Sequence, residues 1–199
     1  MLGPVRLSLI LIFTVALVTL SSCPKEKEPE GGPAPTSAKM QAEQQEEVSK
    51  VARLRLSSPA FEHGQPIPSR YTADGEDISP PLVIEGIPPG TKSLVLIMDD
   101  PDAPIGLWVH WVVFNIPPDT TKIEEGVEPP GTPGTNSWRR TGYGGPAPPS
   151  GTHRYFFRVY ALDTVLELSE GANKRQVEHA MEGHILAMGE LMGTYSRKR

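Results

Sequence analysis

The chain has 199 residues, 38% hydrophobic and 22% charged, enough apolar material for one folded domain and too little for two comparable ones. Its formal net charge is −5 and no run of Lys or Arg makes a basic patch, so a nucleic-acid partner is not expected. A single cysteine excludes an internal disulfide framework and any cysteine-cluster metal site, while 22 prolines and 19 glycines, both helix breakers, argue for a β-rich domain with many turns.

Behind one basic residue, Arg6, an uncharged stretch runs from Leu7 to Leu20. At about fourteen residues it is short for a bilayer span, which needs roughly 20, and suits the core of a signal peptide. Leu20-Ser21-Ser22-Cys23 resembles a bacterial lipobox: a branched apolar residue, two small residues, then cysteine. An ordinary secretory peptide with an incidental cysteine is the alternative. The sole cysteine of the chain standing where lipid would be attached favours the anchor. Residues 1–22 are therefore expected to be a cleaved lipoprotein signal peptide, with acyl chains such as palmitate on Cys23. The expected location is the bacterial cell envelope, extracytoplasmic, on the outer or the cytoplasmic membrane.

Residues 23–51 turn to Lys, Glu, Pro, Ala and Gln with little to bury, and read as a polar tether. As flexible coil, about 27 residues reach roughly 30 Å. The folded domain is expected over 52–199. Leu54 and Leu56 alternate with Arg53 and Arg55, the pattern of a half-buried strand. Ser93–Met98 and Trp108–Ile116 are apolar runs of the kind buried on both faces. Tyr155, Phe157, Val159 and Ala161 alternate with Arg154, Phe156, Arg158 and Tyr160 to predict a fourth strand. Turns are marked at Pro80-Pro81, Pro88-Pro89-Gly90, Pro117-Pro118 and Pro129-Pro130-Gly131. Asn173 with Gln176 resembles a capping box, and Val177, Met181, Ile185, Met188 and Met192 follow at three- or four-residue spacing, so a C-terminal helix is expected there. His179 and His184 on it are read as structural or solvent-facing.

Three clusters could carry chemistry. Asp99-Asp100-Pro101-Asp102-Ala103-Pro104 follows a buried strand, where prolines would hold carboxylates in place. In Trp108-Val109-His110-Trp111, strand alternation puts His110 on a face with Trp108 and Val112. The stretch Gly142–Tyr155 is a glycine- and proline-rich loop entering a strand with His153 and Tyr155 on one face; such a loop can offer several backbone N–H groups to an anion. Taken singly, the carboxylates read more readily as turn caps and His110 as a satisfied core histidine, and the loop equally as a hairpin connection.

Together the clusters resemble the phosphatidylethanolamine-binding protein family, and within it the bacterial Raf-kinase-inhibitor-like branch. The resemblance is carried by Asp-Pro-Asp-Ala-Pro at 100–104, His-Trp-Val-Val-Phe-Asn-Ile-Pro at 110–117 and Gly-x-His-Arg-Tyr at 151–155. Ile78-Ser79-Pro80-Pro81-Leu82 and Tyr143-Gly144-Gly145-Pro146 match as well. It implies a mainly β fold, a Greek-key β-sandwich of two antiparallel sheets with a C-terminal helix, and a small anion-binding cavity at one end. It carries ligand-binding roles to Asp100, Asp102, His110, Ala147, His153 and Tyr155. Ala147 stands where bacterial relatives often have cysteine, which removes a thiol from the rim and leaves a backbone N–H as donor. Such relatives are often homodimers.

The expected function is an anchored binding module, regulatory or inhibitory in role, for a small anion or a phospholipid headgroup, without a cofactor and without catalysis. A carboxylate in an anion pocket needs a reason. The one expected here is that Asp100 accepts a hydrogen bond from a histidine, so that an imidazolium, a Tyr155 hydroxyl and loop N–H groups face the ligand. The competing readings are a metal site or a hydrolase built on the Asp/His cluster, and an inhibitor of a protease, kinase or host protein. No Gly-x-Ser-x-Gly or His-Glu-x-x-His motif supports the hydrolase.

Overall fold

The apolar runs become the long strands of the protein in a computed structural model, which describes residues 52–197. The expected signal peptide, Cys23 and the tether lie outside the described residues. In chain order the elements are β1 (Ala52–Arg53), β2 (Arg55–Ser57), a 3-10 turn (Ser69–Tyr71), β3 (Leu82–Glu85), β4 (Ser93–Asp100), β5 (Trp108–Ile116), β6 (Lys122–Ile123), β7 (Thr132–Pro133), β8 (Thr152–Leu162), α1 (Lys174–Met181) and β9 (Ile185–Ser196).

Six strands form one sheet in the order β1-β9-β8-β4-β5-β7, and β2-β3-β6 form a second. Among the described strands every pairing is antiparallel except the short parallel contact of β1 with β9. The return of β8 to lie beside β4, instead of beside β7, is the interleaved order of a Greek-key sandwich. The Leu54/Leu56 alternation is real, and the segment also changes sheets. β1 joins the large sheet, Leu54 N–H donates to the Met188 carbonyl at 2.9 Å, and β2 then joins the small one.

Two cores flank the large sheet. Between the sheets lie Leu56, Leu82, Ile84, Leu96, Met98, Trp111, Tyr155, Phe157 and Leu191 among others. On the outer face, Val95, Ile97, Val112 and Phe114 pack beneath Leu166, Val177 and Met181. All eight residues of β4 are buried because it is covered on both sides. β8, by contrast, alternates as predicted, with Tyr155, Phe157, Val159 and Ala161 inward.

The C-terminal helix is shorter than the spacing predicts. The capping box is present, with Gln176 N–H donating to Asn173 Oδ1 at 3.1 Å and Asn173 N–H to Gln176 Oε1 at 3.0 Å. The helix then stops at Met181, before Gly183 at φ +77°, and residues 185–196 form β9 along the whole of β8. Met188 and Met192 are four apart, a separation that fits one helical turn and also two strand repeats. The glycines decide it. A Cβ at Gly193 would lie 2.5 Å from Ile67 Cγ1 and 2.8 Å from Phe61, so the bare backbone is what lets the 61–67 segment cross β9.

Candidate binding site

The site is built at the end of the large sheet where β4 and β5 finish and start and β8 begins. Alternation at the end of β4 sends two consecutive aspartates to opposite faces. Asp99 faces outward to Arg158, whose Nη1 lies 2.8 Å from Oδ1, while Asp100 faces the interior and meets His153. His153 and Tyr155 share the inner face of β8, as their spacing requires.

His110 reaches this face by a β-bulge. The β4–β5 ladder pairs Met98 with Trp111 and then Asp99 with Val109, one step on β4 against two on β5, so His110 is the extra residue. Trp111 belongs to the inner core and Val112 to the outer one. The expected face sharing of His110 with Val112 is therefore corrected. The bulge turns His110 inward beside Trp111, and its ring meets that of Tyr155 edge-on at 5.2 Å.

Each imidazole has one nitrogen fixed. His153 Nδ1 lies 2.7 Å from Asp100 Oδ2, and both residues are buried. Asp100 Oδ1 accepts the Asp102 backbone N–H at 2.8 Å, which occupies the second oxygen of the carboxylate. His110 Nδ1 lies 2.6 Å from the Gly144 carbonyl, and since a carbonyl only accepts, Nδ1 carries the proton. Burial pushes the His110 pKa below the ordinary histidine range, with the Gly144 bond opposing it, so the ring is neutral near pH 7 and its Nε2 is an acceptor. Neither Nε2 has a protein partner and neither is sealed from solvent; both open to the cavity.

The loop before β8 is held from three sides. The Tyr143 hydroxyl donates to the Tyr71 carbonyl at 2.6 Å, Gly145 N–H to Asp77 Oδ1 at 2.7 Å, and Gly144 N–H to the His110 carbonyl at 3.1 Å. Gly144 thus both gives to and takes from His110, and a Cβ there would lie 2.6 Å from the Trp138 ring. This corrects the expectation of a row of loop N–H donors. The amides of 144 and 145 are engaged, 146, 148 and 149 are prolines without an N–H, and the Ala147 amide lies by the Tyr155 hydroxyl.

These elements enclose a cavity of about 300 Å³ lined by Asp100, His110, Ala147 and His153 together with Trp108, Trp138, Ile105 and the prolines 104, 148 and 149. Four of the six expected ligand residues thus meet in one wall. Tyr155 lies behind that wall. Its buried hydroxyl sits beside Asp100 and the Ala147 N–H without a well-aligned hydrogen bond to either, and burial, then the nearby Asp100 charge, raise its pKa well above the ordinary range, so it stays protonated. Asp102 stands outside the cavity, in a two-pronged bond to Arg154 at 2.7 and 2.9 Å that holds its pKa at about 2. Its role is to clamp the 101–104 turn to β8. Trp138 was not singled out by sequence reasoning. Its only local signal is a large aromatic among the polar residues Asn136, Ser137, Arg139 and Arg140. Among the described residues no three His, Cys, Asp or Glu side chains are grouped to hold a metal ion. His179 and His184 pair with Glu182 and Asp163 away from the cavity and are exposed.

Comparison with known proteins agrees with this architecture. The family model described as phosphatidylethanolamine-binding protein matches residues 57–196. A UPF0098 protein of Methanothermobacter thermautotrophicus is 55% identical over 150 residues, covering 72% of this chain and 99% of the relative. The crystal structure of a putative phosphatidylethanolamine-binding protein homolog from Chlamydia trachomatis superposes with a TM-score of 0.72 at 46% identity, over 73% of this chain and 99% of the other. Escherichia coli YbcL, described as a new member of the mammalian family, gives 0.69 at 29% identity, over 74% of this chain and all of its own. With the match running from β2 to the end of β9, the chain belongs to the phosphatidylethanolamine-binding protein family.

Proposed function

We propose that the chain is a lipid-anchored, extracytoplasmic binding module whose cavity takes a small oxyanion, a phosphate or a phosphate ester of the kind found in lipid headgroups. The observation that carries the reading is the unequal pair of open imidazole nitrogens in a wall lined by no serine, threonine or cysteine. His110, neutral, presents an acceptor. His153, when protonated on both nitrogens, presents an N–H donor with the Asp100 carboxylate as counter-ion at 2.7 Å. A half-protonated oxyanion satisfies both: its O–H donates to His110 and its charged oxygen accepts from His153. The apolar walls, Trp108, Trp138 and the prolines, suit an organic substituent on the ester. The uncharged stretch at 7–20 and the single Cys23 support delivery to a membrane surface.

Calorimetric titration with phosphate and with phosphorylethanolamine tests the reading. Binding is expected to tighten as pH falls from about 8 to about 6, the ordinary histidine range, with a proton taken up on binding. Absence of binding, or affinity independent of pH, would contradict it.

A further inference from the structure

The peptide group between Gly144 and Gly145 is hydrogen-bonded at both ends. Its carbonyl accepts the His110 Nδ1–H at 2.6 Å, and its N–H, on Gly145, donates to Asp77 Oδ1 at 2.7 Å. A carboxylate, one peptide and an imidazole therefore form a continuous chain that ends on Nε2 in the cavity. Bonds in such a chain polarise one another, so the acceptor on the N–H makes the carbonyl a better acceptor in turn. His153 is backed directly by Asp100, and His110 is backed by Asp77 through one peptide.

The surroundings hold this contact in place. Asp77 sits at φ +55°, a left-handed conformation that a side chain other than glycine keeps where its neighbours enforce it. A Cβ on Gly145 would lie 2.7 Å from Asp77 Oδ1 and 2.8 Å from both Thr72 Cα and the Tyr71 carbonyl oxygen, so the missing side chain is what lets the carboxylate reach the amide. The Ala73 N–H donates to the Pro146 carbonyl at 3.1 Å and joins the two segments a second time. Arg140 Nη2 stands 3.9 Å from the other carboxylate oxygen, Oδ2, and leaves Oδ1 to the amide.

The chemical consequence falls on the ligand. A neutral imidazole carries its proton on either nitrogen, and the tautomer decides whether Nε2 donates or accepts. The bond to Gly144 keeps the proton on Nδ1, and burial keeps the ring neutral against the charges of Asp100, Asp99 and Asp77. A lone pair then faces the cavity. It suits an oxyanion that has an O–H, such as hydrogen phosphate, and sets lone pair against lone pair with one that has none, such as sulfate.

We propose that Asp77 is the positioning residue of His110: through the Gly144–Gly145 peptide it holds the Nδ1–H tautomer, so that the cavity selects oxyanions carrying an O–H over those carrying none. The inference rests on the oxyanion reading of the cavity for its ligand class, and on the hydrogen bonds alone for the tautomer.

The test uses the full chain in detergent micelles at about pH 7, with Asp77→Gly and Asp77→Asn. Both replacements accept a positive φ, and only the asparagine keeps an Oδ1 for the Gly145 N–H. Calorimetric titration with phosphate and with sulfate should show the parent favouring phosphate by about tenfold or more, Asp77→Gly by about threefold or less, and Asp77→Asn close to the parent. A merely structural Asp77 would weaken both anions alike. Nitrogen-15 NMR of the ligand-free imidazoles, with His110 assigned by its loss in His110→Asn, should place the proton on Nδ1 in the parent and spread it over both nitrogens in Asp77→Gly. Sulfate bound by the parent as tightly as phosphate overturns the proposal, as does a preference or a tautomer unchanged in Asp77→Gly. If the parent binds neither anion, the oxyanion reading fails, and the nitrogen spectra still decide the tautomer relay. Should circular dichroism show Asp77→Gly unfolded, a parent His110 protonated on Nε2 overturns the proposal, and protonation on Nδ1 with phosphate favoured upholds it.

Discussion

Asp99 and Asp100 are neighbours in the chain, equally buried, and opposite in what they do. Asp99 lies on the outer face between Arg158 Nη1 at 2.8 Å and Lys174 Nζ at 3.6 Å, and Arg158 is shared with Glu190 at 2.8 Å. Its partners are an arginine and a lysine, and the cluster ties α1 to the sheet. Asp100 on the inner face has as partner an imidazole that can gain or lose a proton, and beyond that imidazole there is a cavity. The comparison teaches that the partner, not the carboxylate, separates a structural acid from a functional one in this fold. A strand's alternation is enough to deliver consecutive residues to the two roles.

The comparison breaks most visibly on its structural side. Asp99→Ala leaves Arg158 with Glu190 and Lys174 with Glu178 but removes the buried acid that joins them, and loss of a hydrogen bond to a charged group typically costs about 1.5–3 kcal/mol. Urea unfolding should show a loss of that size, while phosphate affinity of the folded variant stays close to that of the parent. A loss under about 1 kcal/mol would show that the outer cluster behaves as a solvated surface pair.

A smaller effect sharpens the inner side. His110 has a folded-state pKa depressed by burial, so the unfolded chain binds its proton more readily. The resulting stability is fully present above the unfolded value, about 6.5, and is lost as pH falls through the lower folded value. In His110→Asn, whose side-chain amide can still donate to the Gly144 carbonyl, this part of the acid-side slope should vanish from a pH series of unfolding measurements. An unchanged slope would place the titrating group elsewhere.

Much of this was legible in the residues, and the misses have physical causes. β4, β5 and β8 were readable because their apolar runs and alternation are long, and Asp100 with His153 because both lie at the ends of those strands. The bulge at His110 was not, since it depends on the register of β5 against β4, which the sequence of β5 alone does not contain. Nor was β9. Its methionines suit either period, and only the crossing of the 61–67 segment explains Gly193. The loop offers fewer free donors than its composition suggests, because its amides at 144 and 145 are engaged by distant residues, the His110 carbonyl and Asp77. Trp138 joins the wall through a contact with Trp108, thirty positions earlier, that no local pattern reveals.

The central claim is that Asp100 helps bind an anion by standing 2.7 Å from His153 Nδ1 as counter-ion and orienting Nε2 toward the ligand. Phosphate affinity of Asp100→Asn at about pH 6 tests it most directly, because simple electrostatics predicts the opposite sign: removing a negative charge from the cavity should tighten anion binding. The account predicts that Asp100→Asn binds phosphate about tenfold more weakly than the parent and loses most of the pH dependence. Equal or tighter binding in the variant would contradict it.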